Sequence, residues 1–363
     1  MRTYLPFRSY LTFYNLCGGT ADTLRESAMQ DWIPPRAKKR TTFIVKHFDS
    51  LGRVTFTPYT QTPIRGFVPD DIQVIWMRFI RRHGMASSDT LYELTRHMTG
   101  VKNRDNFNDR LKELFDGQMV MKPMAQTFTK NADGHYHLYR LTTKGETFLQ
   151  KQGLWEEVLP LSGPFPHQMM QATTRAVMDI GCQRHGYRFI TSYEYLKLAA
   201  SKKVFVPFEW DGEMIPAALA GKPNRQAAFD PDDVCAIDYG GGSFIAYMKE
   251  DNRNTEPSRS STHQRRNDRK TLRQLARFIG GKEYKRAYSR EAMMMYLYFT
   301  VSEAHEEDFL SLVEEEIGDP FYIATGVETA FASPWKPPKL PMHLFEGTLK
   351  RAGQKPFQLA KPV

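Results

Sequence analysis

The chain has 363 residues, and at roughly 150 residues per domain that length predicts two domains with an added arm rather than one small module. Its 41% hydrophobic and 25% charged residues lie close to the globular average, which excludes a disordered or fibrous chain. Fifty Lys and Arg against 41 Asp and Glu leave a net charge of +9 and a pI near 9.3, which directs attention to a polyanionic partner, nucleic acid first.

Cys17, Cys182 and Cys235 are far apart and odd in number, so they make neither a disulfide framework nor a thiolate zinc site, and a reducing cytoplasm is expected. The longest strongly apolar run, Ala292 to Val301, is about half the roughly 20 residues that a membrane-spanning helix needs. Pro6 and Arg8 interrupt the apolar start, which does not read as a secretory signal.

Residues 1–65 read as a basic arm, with Arg36-Ala37-Lys38-Lys39-Arg40 followed by alternating runs Thr42 to Phe48 and Arg53 to Tyr59 that predict a hairpin. Residues 66–155 form the next unit. Ile72, Ile75, Trp76, Phe79 and Ile80 recur at helical spacing and predict a helix ending near His83. Ser87 and Ser88 are N-cap residues for a second helix with Leu91, Leu94 and Met98 as its buried stripe. A third, Asn103 to Asp116, buries Phe107, Leu111, Leu114 and Phe115 and stops at Gly117. Two strands, Met119 to Met124 and His135 to Thr142, and a closing helix, Lys144 to Gln152, complete the order of a winged helix-turn-helix. Such a unit lays its third helix in a major groove, which makes Arg104, Asn106 and Arg110 the DNA-reading candidates. The same fold also serves as a protein-interaction module. His135 and His137 lie on one strand face, but no nearby ligand completes a metal site.

Residues 156–345 open with a Pro/Gly-rich linker and a helix, His167 to Gln183. Two strands then meet at Gly240-Gly241-Gly242. A three-residue hairpin loop there places Tyr239 opposite Ser243 and Asp232 opposite Glu250, two like charges roughly 5 Å apart that a bound Mg²⁺ would reconcile. An ion so held would support phosphodiester cleavage. The alternative is that these carboxylates are solvated, with Asp233 paired to Lys249 across the hairpin.

The segment 69–328 resembles the replication-relaxation family of plasmid and mobile-element proteins. The likeness rests on the LTTKGETFL ending of the helical unit, His167 opening the next helix, Pro231-Asp232, the run Glu250-Asp251-Asn252-Arg253-Asn254-Thr255-Glu256, and the later FYIATGVE. The resemblance implies an α/β (α+β) chain with a restriction-endonuclease-like core of PD-(D/E)XK type and a role in mobilisation. It also implies Asp232 and Glu250 as catalytic metal ligands, with Arg253, Thr255 and Glu256 lining the site. Where a restriction-type nuclease has Glu-x-Lys, this chain has Glu250-Asp251-Asn252. Lys270, on the next helix, is the catalytic lysine proposed in its place, on the length of its stem.

Between Arg253 and Arg290 twelve cations face three anions, a local +9 that offers a track for a DNA backbone through Arg253, Arg265, Arg266, Arg269 and Arg273. The acidic stretch Glu303 to Asp319 predicts a helix with Phe309, Leu312 and Val313 inward, either solvent-facing or docking a basic partner. Residues 346–363 read as a flexible tail. Three functions stay open: a DNA-processing protein that nicks with Mg²⁺, a DNA-binding regulator on a degenerate nuclease core, and a scaffold whose basic stretch is covered by acidic protein. DNA is the expected partner and a membrane is not; relaxosome or replication proteins and a second copy of the chain are further partners to test. Tyr239 and Tyr247 are among many tyrosines that offer a covalent link without one being singled out.

Overall fold

Asp70 opens the first helix of the computed structural model with a reciprocal cap: its carboxylate accepts from the Gln73 amide while the Gln73 side chain accepts from the Asp70 amide. The structure describes residues 54–100, 103–124, 137–196, 204–205, 208–210, 213–215, 228–229, 231–253, 262–288, 292–332 and 338–361. Cys17, the basic cluster of Arg36 to Arg40, the run Thr42 to Phe48, His135, Thr255 and Glu256 lie outside the described residues.

The first half runs β1 (Phe56–Thr57), α1 (Asp71–His83), β2 (Ala86–Ser87), α2 (Ser88–Thr99), α3 (Arg104–Asp116), β3 (Val120–Pro123), β4 (Leu138–Leu141) and α4 (Thr143–Lys151). Ser87 caps α2 and Asn103 caps α3, as their side-chain oxygens suit them to do. The strands form one sheet in the order β1-β3-β4-β2, so the described part of the arm joins this sheet through β1. Trp76, Leu91, Phe107, Leu111 and Leu114 fill the space between the helices, each at most 2% exposed, and such burial stabilises by about 1.5–3 kcal/mol per side chain. Met98 departs from its expected place: it is 48% exposed, in a last turn of α2 that is exposed throughout, while Thr95 one turn back is buried and accepts the Trp76 indole N–H at 2.7 Å.

The second half continues with α5 (Phe165–His185), β5 (Arg188–Ile190), α6 (Ser192–Tyr195), the short strands β6 (Val204–Phe205), β7 (Phe208–Trp210), β8 (Glu213–Ile215) and β9 (Ala228–Phe229), then β10 (Asp233–Gly240) and β11 (Ser243–Asn252). After these come α7 (Thr262–Leu275), α8 (Glu283–Tyr288), β12 (Met293–Thr300), α9 (Glu303–Ile317), β13 (Ile323–Val327) and α10 (His343–Glu346). A mixed five-stranded sheet has its strands in chain order, β5-β10-β11-β12-β13, and β10 alone runs against its neighbours. Alternate residues feed two cores. Cys235, Ile237, Ile245 and Tyr247 face α5, while Val234, Ala236, Ala246 and Met248 face α7 and α9. Covering both faces accounts for the near-continuous apolar strands. The core on the α5 side is continuous with that of the first half, since it also holds Trp76, Leu91 and Phe107.

The hairpin register holds as expected from Asp233↔Lys249 to Asp238↔Phe244, and then shifts so that Gly240, not Tyr239, faces Ser243. All three glycines have positive φ (78°, 60° and 87°), a conformation that only glycine adopts without strain, and it tightens the turn and leaves Tyr239 bulged. Residues 346–361 are not a flexible tail. Leu349, Phe357 and Leu359 are at most 2% exposed, Lys350 bridges Thr325 on β13, and Leu349 bridges Phe357. The short apolar residues that anchor this segment are too widely spaced to show any period. No described helix is long and apolar enough to cross a membrane.

Candidate functional site

The helix α5 carries a polar stripe, His167, Gln171, Thr174, Arg175 and Asp179, on a body that is otherwise almost wholly buried. Buried polar groups need partners, and the ends of β10 and β11 supply them. Asp232, just before β10, accepts at Oδ1 from His167 Nε2 (2.8 Å) and Gln171 Nε2 (2.7 Å), and at Oδ2 from the Asp251 amide (2.8 Å). Deeper in, Lys249 Nζ donates to Thr174 Oγ1 at 2.9 Å and pairs with Asp251 Oδ2, while Thr174 Oγ1 lies 3.0 Å from Asp251 Oδ1. The Lys249 and Asp251 side chains are 0% exposed; those of Asp232 and His167 are 11% and 23% exposed and form the open edge.

Beside this group Asp233 binds Arg175 Nε at 2.6 Å and the Ser192 hydroxyl. One helical turn further, Asp179 holds His83 Nε2 at 3.0 Å and Arg82 at 3.2 Å. Burial alone would raise Asp232, but the His167 hydrogen bond and charge, Lys249 and the Asp251 amide outweigh it, and its carboxyl titrates below the ordinary carboxylate range. Asp233 is likewise lowered against its burial, by Arg175 and Lys249. Asp251 goes the other way: burial and the neighbouring Asp232 charge raise it more than Lys249 lowers it.

Of the residues expected from sequence, Asp232 stands in this group and Glu250 does not. Strand alternation sends Lys249 and Asp251 toward α5 and Glu250 toward the other face, where its charge acts on Tyr296 and Tyr298. Lys270 is on α7, which packs on that same far face. The expected face-to-face pair of Asp232 and Glu250 is therefore replaced by Asp232 and Asp251, because Asp232 precedes the strand and turns its carboxylate to α5. Lys249, Asp251, Gln171 and Thr174 were not anticipated as site residues. The signal for the first two was Lys-x-Asp alternation one residue out of phase with Glu-x-Lys.

The basic stretch is partly covered by the chain itself. Glu315 of α9 binds Arg265 (2.6 Å) and Arg269 (3.3 Å), and Glu316 binds Arg269 (2.8 Å) and Arg273 (2.9 Å). The acidic helix thus docks on the chain's own basic helix. Arg253 donates to the Phe331 and Ala332 carbonyls and closes the turn after β13; the Arg266 side chain lies outside the described residues. On α3, Asn106 is exposed, Arg104 lies over the Tyr92 ring (4.7 Å) with a side chain 42% exposed, and Arg110 is 3.7 Å from Asp70 with a side chain 38% exposed. Arg104, Arg110 and Lys112 are outnumbered there by Asp105, Asp109, Glu113 and Asp116.

Two carboxylates within electrostatic reach, one at the open edge, suit a hard cation that takes one or two protein oxygens and completes its shell with water and phosphate. No group of three or more His, Cys, Asp or Glu side chains is arranged to hold a metal ion among the described residues. Comparison with protein-family models, with curated proteins and with solved structures finds no match to this chain.

Proposed function

We propose that the protein binds DNA through a winged helix-turn-helix formed by residues 66–155, and that its second half is a restriction-endonuclease-like core acting on phosphodiesters in replication relaxation or mobilisation. The observation that carries this reading is Lys249 beside Asp251 and Asp232. The lysine missing from Glu-x-Lys stands two residues before a carboxylate on the same strand face, and both adjoin the Asp that follows Pro231. Three helices followed by two antiparallel strands, and a three-layered mixed sheet with strands in chain order, support the two fold assignments.

Asp232 and Asp251 are the residues that would hold Mg²⁺, which when bound activates water and stabilises a leaving oxygen. The chain's own groups act around it. His167 and Gln171 orient Asp232, Thr174 orients Asp251 and Lys249, and the buried Lys249 ammonium holds Asp251 in place. The test is conversion of supercoiled plasmid to open circles with Mg²⁺. The wild type nicks, and Asp232→Asn binds but does not; equal nicking by both removes Asp232 from the chemistry.

A second reading, a non-catalytic DNA-binding regulator, is favoured by the complete burial of Lys249 and Asp251 and by the partner each carboxylate already has: Asp251 pairs with Lys249, Asp233 with Arg175, and Asp232 accepts from His167. On that reading plasmid is bound and never cut.

A further inference from the structure

A cleft of about 390 Å³ opens where α1, β3, β4 and the linker before α5 meet, well within the size range of small-molecule sites. Its walls are about half apolar, supplied by Ile80, Met121, Leu141 and the linker residues Val158 to Leu161, and half polar. Two arginines line it and they are not alike. Arg81 lies over the Trp155 ring at 3.7 Å, donates to the Glu156 carbonyl, and is supported by the charges of Glu146, Glu157 and Glu156. Among the described residues Glu146 is the only carboxylate lining the cleft.

Arg140 on β4 has a ring and an amide carbonyl oxygen but, among the described residues, no carboxylate support. Its guanidinium lies over Phe56 at 4.5 Å and donates from Nη2 to Gln168 Oε1 at 2.6 Å, with no carboxylate within salt-bridge distance among the described residues. Its Nε is fully buried and has no hydrogen-bond partner there. Gln168 is itself fixed, since its amide donates to the Gly163 carbonyl at 2.7 Å, so its oxygen is committed to holding the guanidinium in place. A partly desolvated cation without an anion is costly, and a planar fork of donors suits a phosphate or carboxylate.

We propose that this cleft binds a small organic anion, a phosphate or carboxylate carried on an apolar body, with Arg140 as its anchor and Gln168 as the residue that positions it. Burial pushes the Arg140 guanidinium down to about 10, so it is still charged at neutral pH. The apolar half of the walls takes the body of the ligand and Arg140 its head. The proposal is independent of the phosphodiester-cleaving reading, because no residue of the Asp232 site lines the cleft.

The test uses the full chain with phenyl phosphate and inorganic phosphate as probes, read by calorimetric titration and thermal melting. Phenyl phosphate is expected to bind at one site, at least ten-fold more tightly than inorganic phosphate, and to raise the melting temperature. Arg140→Met is expected to lose at least ten-fold in phenyl phosphate affinity while its unliganded melting temperature is maintained, since the substitution removes a cation that has no carboxylate support among the described residues. Arg140→Lys falls between the two, and Asp232→Asn binds the probe as the wild type does. If Arg140→Met does not fold, Gln168→Ala carries the test and must weaken binding. Equal responses in wild type and variant, as from general ion effects, overturn the proposal. So does stabilisation by a duplex oligonucleotide but not by phenyl phosphate, which would make the occupant a DNA backbone phosphate.

Discussion

Replacing Asp251 by Asn leaves Lys249 buried with Thr174 as its remaining hydrogen-bonding partner in the site. Both side chains of the pair are 0% exposed, and removing one partner of a buried ion pair typically costs about 3–5 kcal/mol because the other charge is stranded. Against a total stability of about 5–15 kcal/mol this is a large fraction. Removing both charges in Lys249→Met/Asp251→Leu should recover most of the loss, since a buried pair replaced by apolar groups of similar size is often neutral. The deficit of Asp251→Asn should also depend on pH in a defined direction. Asp251 titrates above the ordinary carboxylate range in the folded chain, so its own titration makes a contribution to stability that is lost as pH rises through that folded value. As pH falls through it the wild type gains this contribution and the Asn variant, with no titrating group at the position, does not, so the difference between the two proteins widens. Urea unfolding at several pH values measures all three effects. A cost below about 1 kcal/mol for Asp251→Asn, or a double variant less stable than the single one, would refute the reasoning.

Glu315→Gln/Glu316→Gln should release Arg265, Arg269 and Arg273, tighten binding to a nonspecific duplex and steepen its salt dependence; an unchanged slope in binding titrations between low and physiological salt would count against these arginines as backbone contacts. His137 is pushed down to about 4 by burial and by Lys122. Its folded value lies below the unfolded 6.5, so stability is fully present above pH 6.5 and falls by about 3 kcal/mol as pH drops to 4. Thermal melting across that window should show the fall, and His137→Gln should flatten it. Gly181 lets the Phe345 ring pack against α5, and a Cβ there would meet the ring at 2.4 Å. Gly181→Val should therefore destabilise by about 1–3 kcal/mol in urea unfolding, and no loss would show that the C-terminal segment gives way instead.

Local signals carried much of the fold. Capping residues Asp70, Ser87 and Asn103 and the spacing of Trp76, Phe107 and Leu111 mark three helices closely, and Gly240 to Gly242 mark the hairpin. Opposite charges on α7 and α9 were visible as two runs, but that they meet depends on the sheet that brings both helices to one face. The site was legible only in part because a strand reads with period two. Taking Glu250 as the inward residue puts Lys249 and Asp251 on the wrong face and makes the lysine look absent. The stripe from His167 to Asp179 was equally hidden, since on a helix buried on nearly every side polar residues do not mark the solvent face.

The central claim is that Asp251 and Lys249, rather than Glu250, work with Asp232. Mg²⁺-dependent nicking of supercoiled plasmid by Glu250→Gln and by Asp251→Asn, each assayed below its melting temperature with duplex binding measured in parallel, tests it most directly. The account predicts that Glu250→Gln nicks as the wild type does and that Asp251→Asn binds without nicking. Loss of nicking in Glu250→Gln with retention in Asp251→Asn would contradict it.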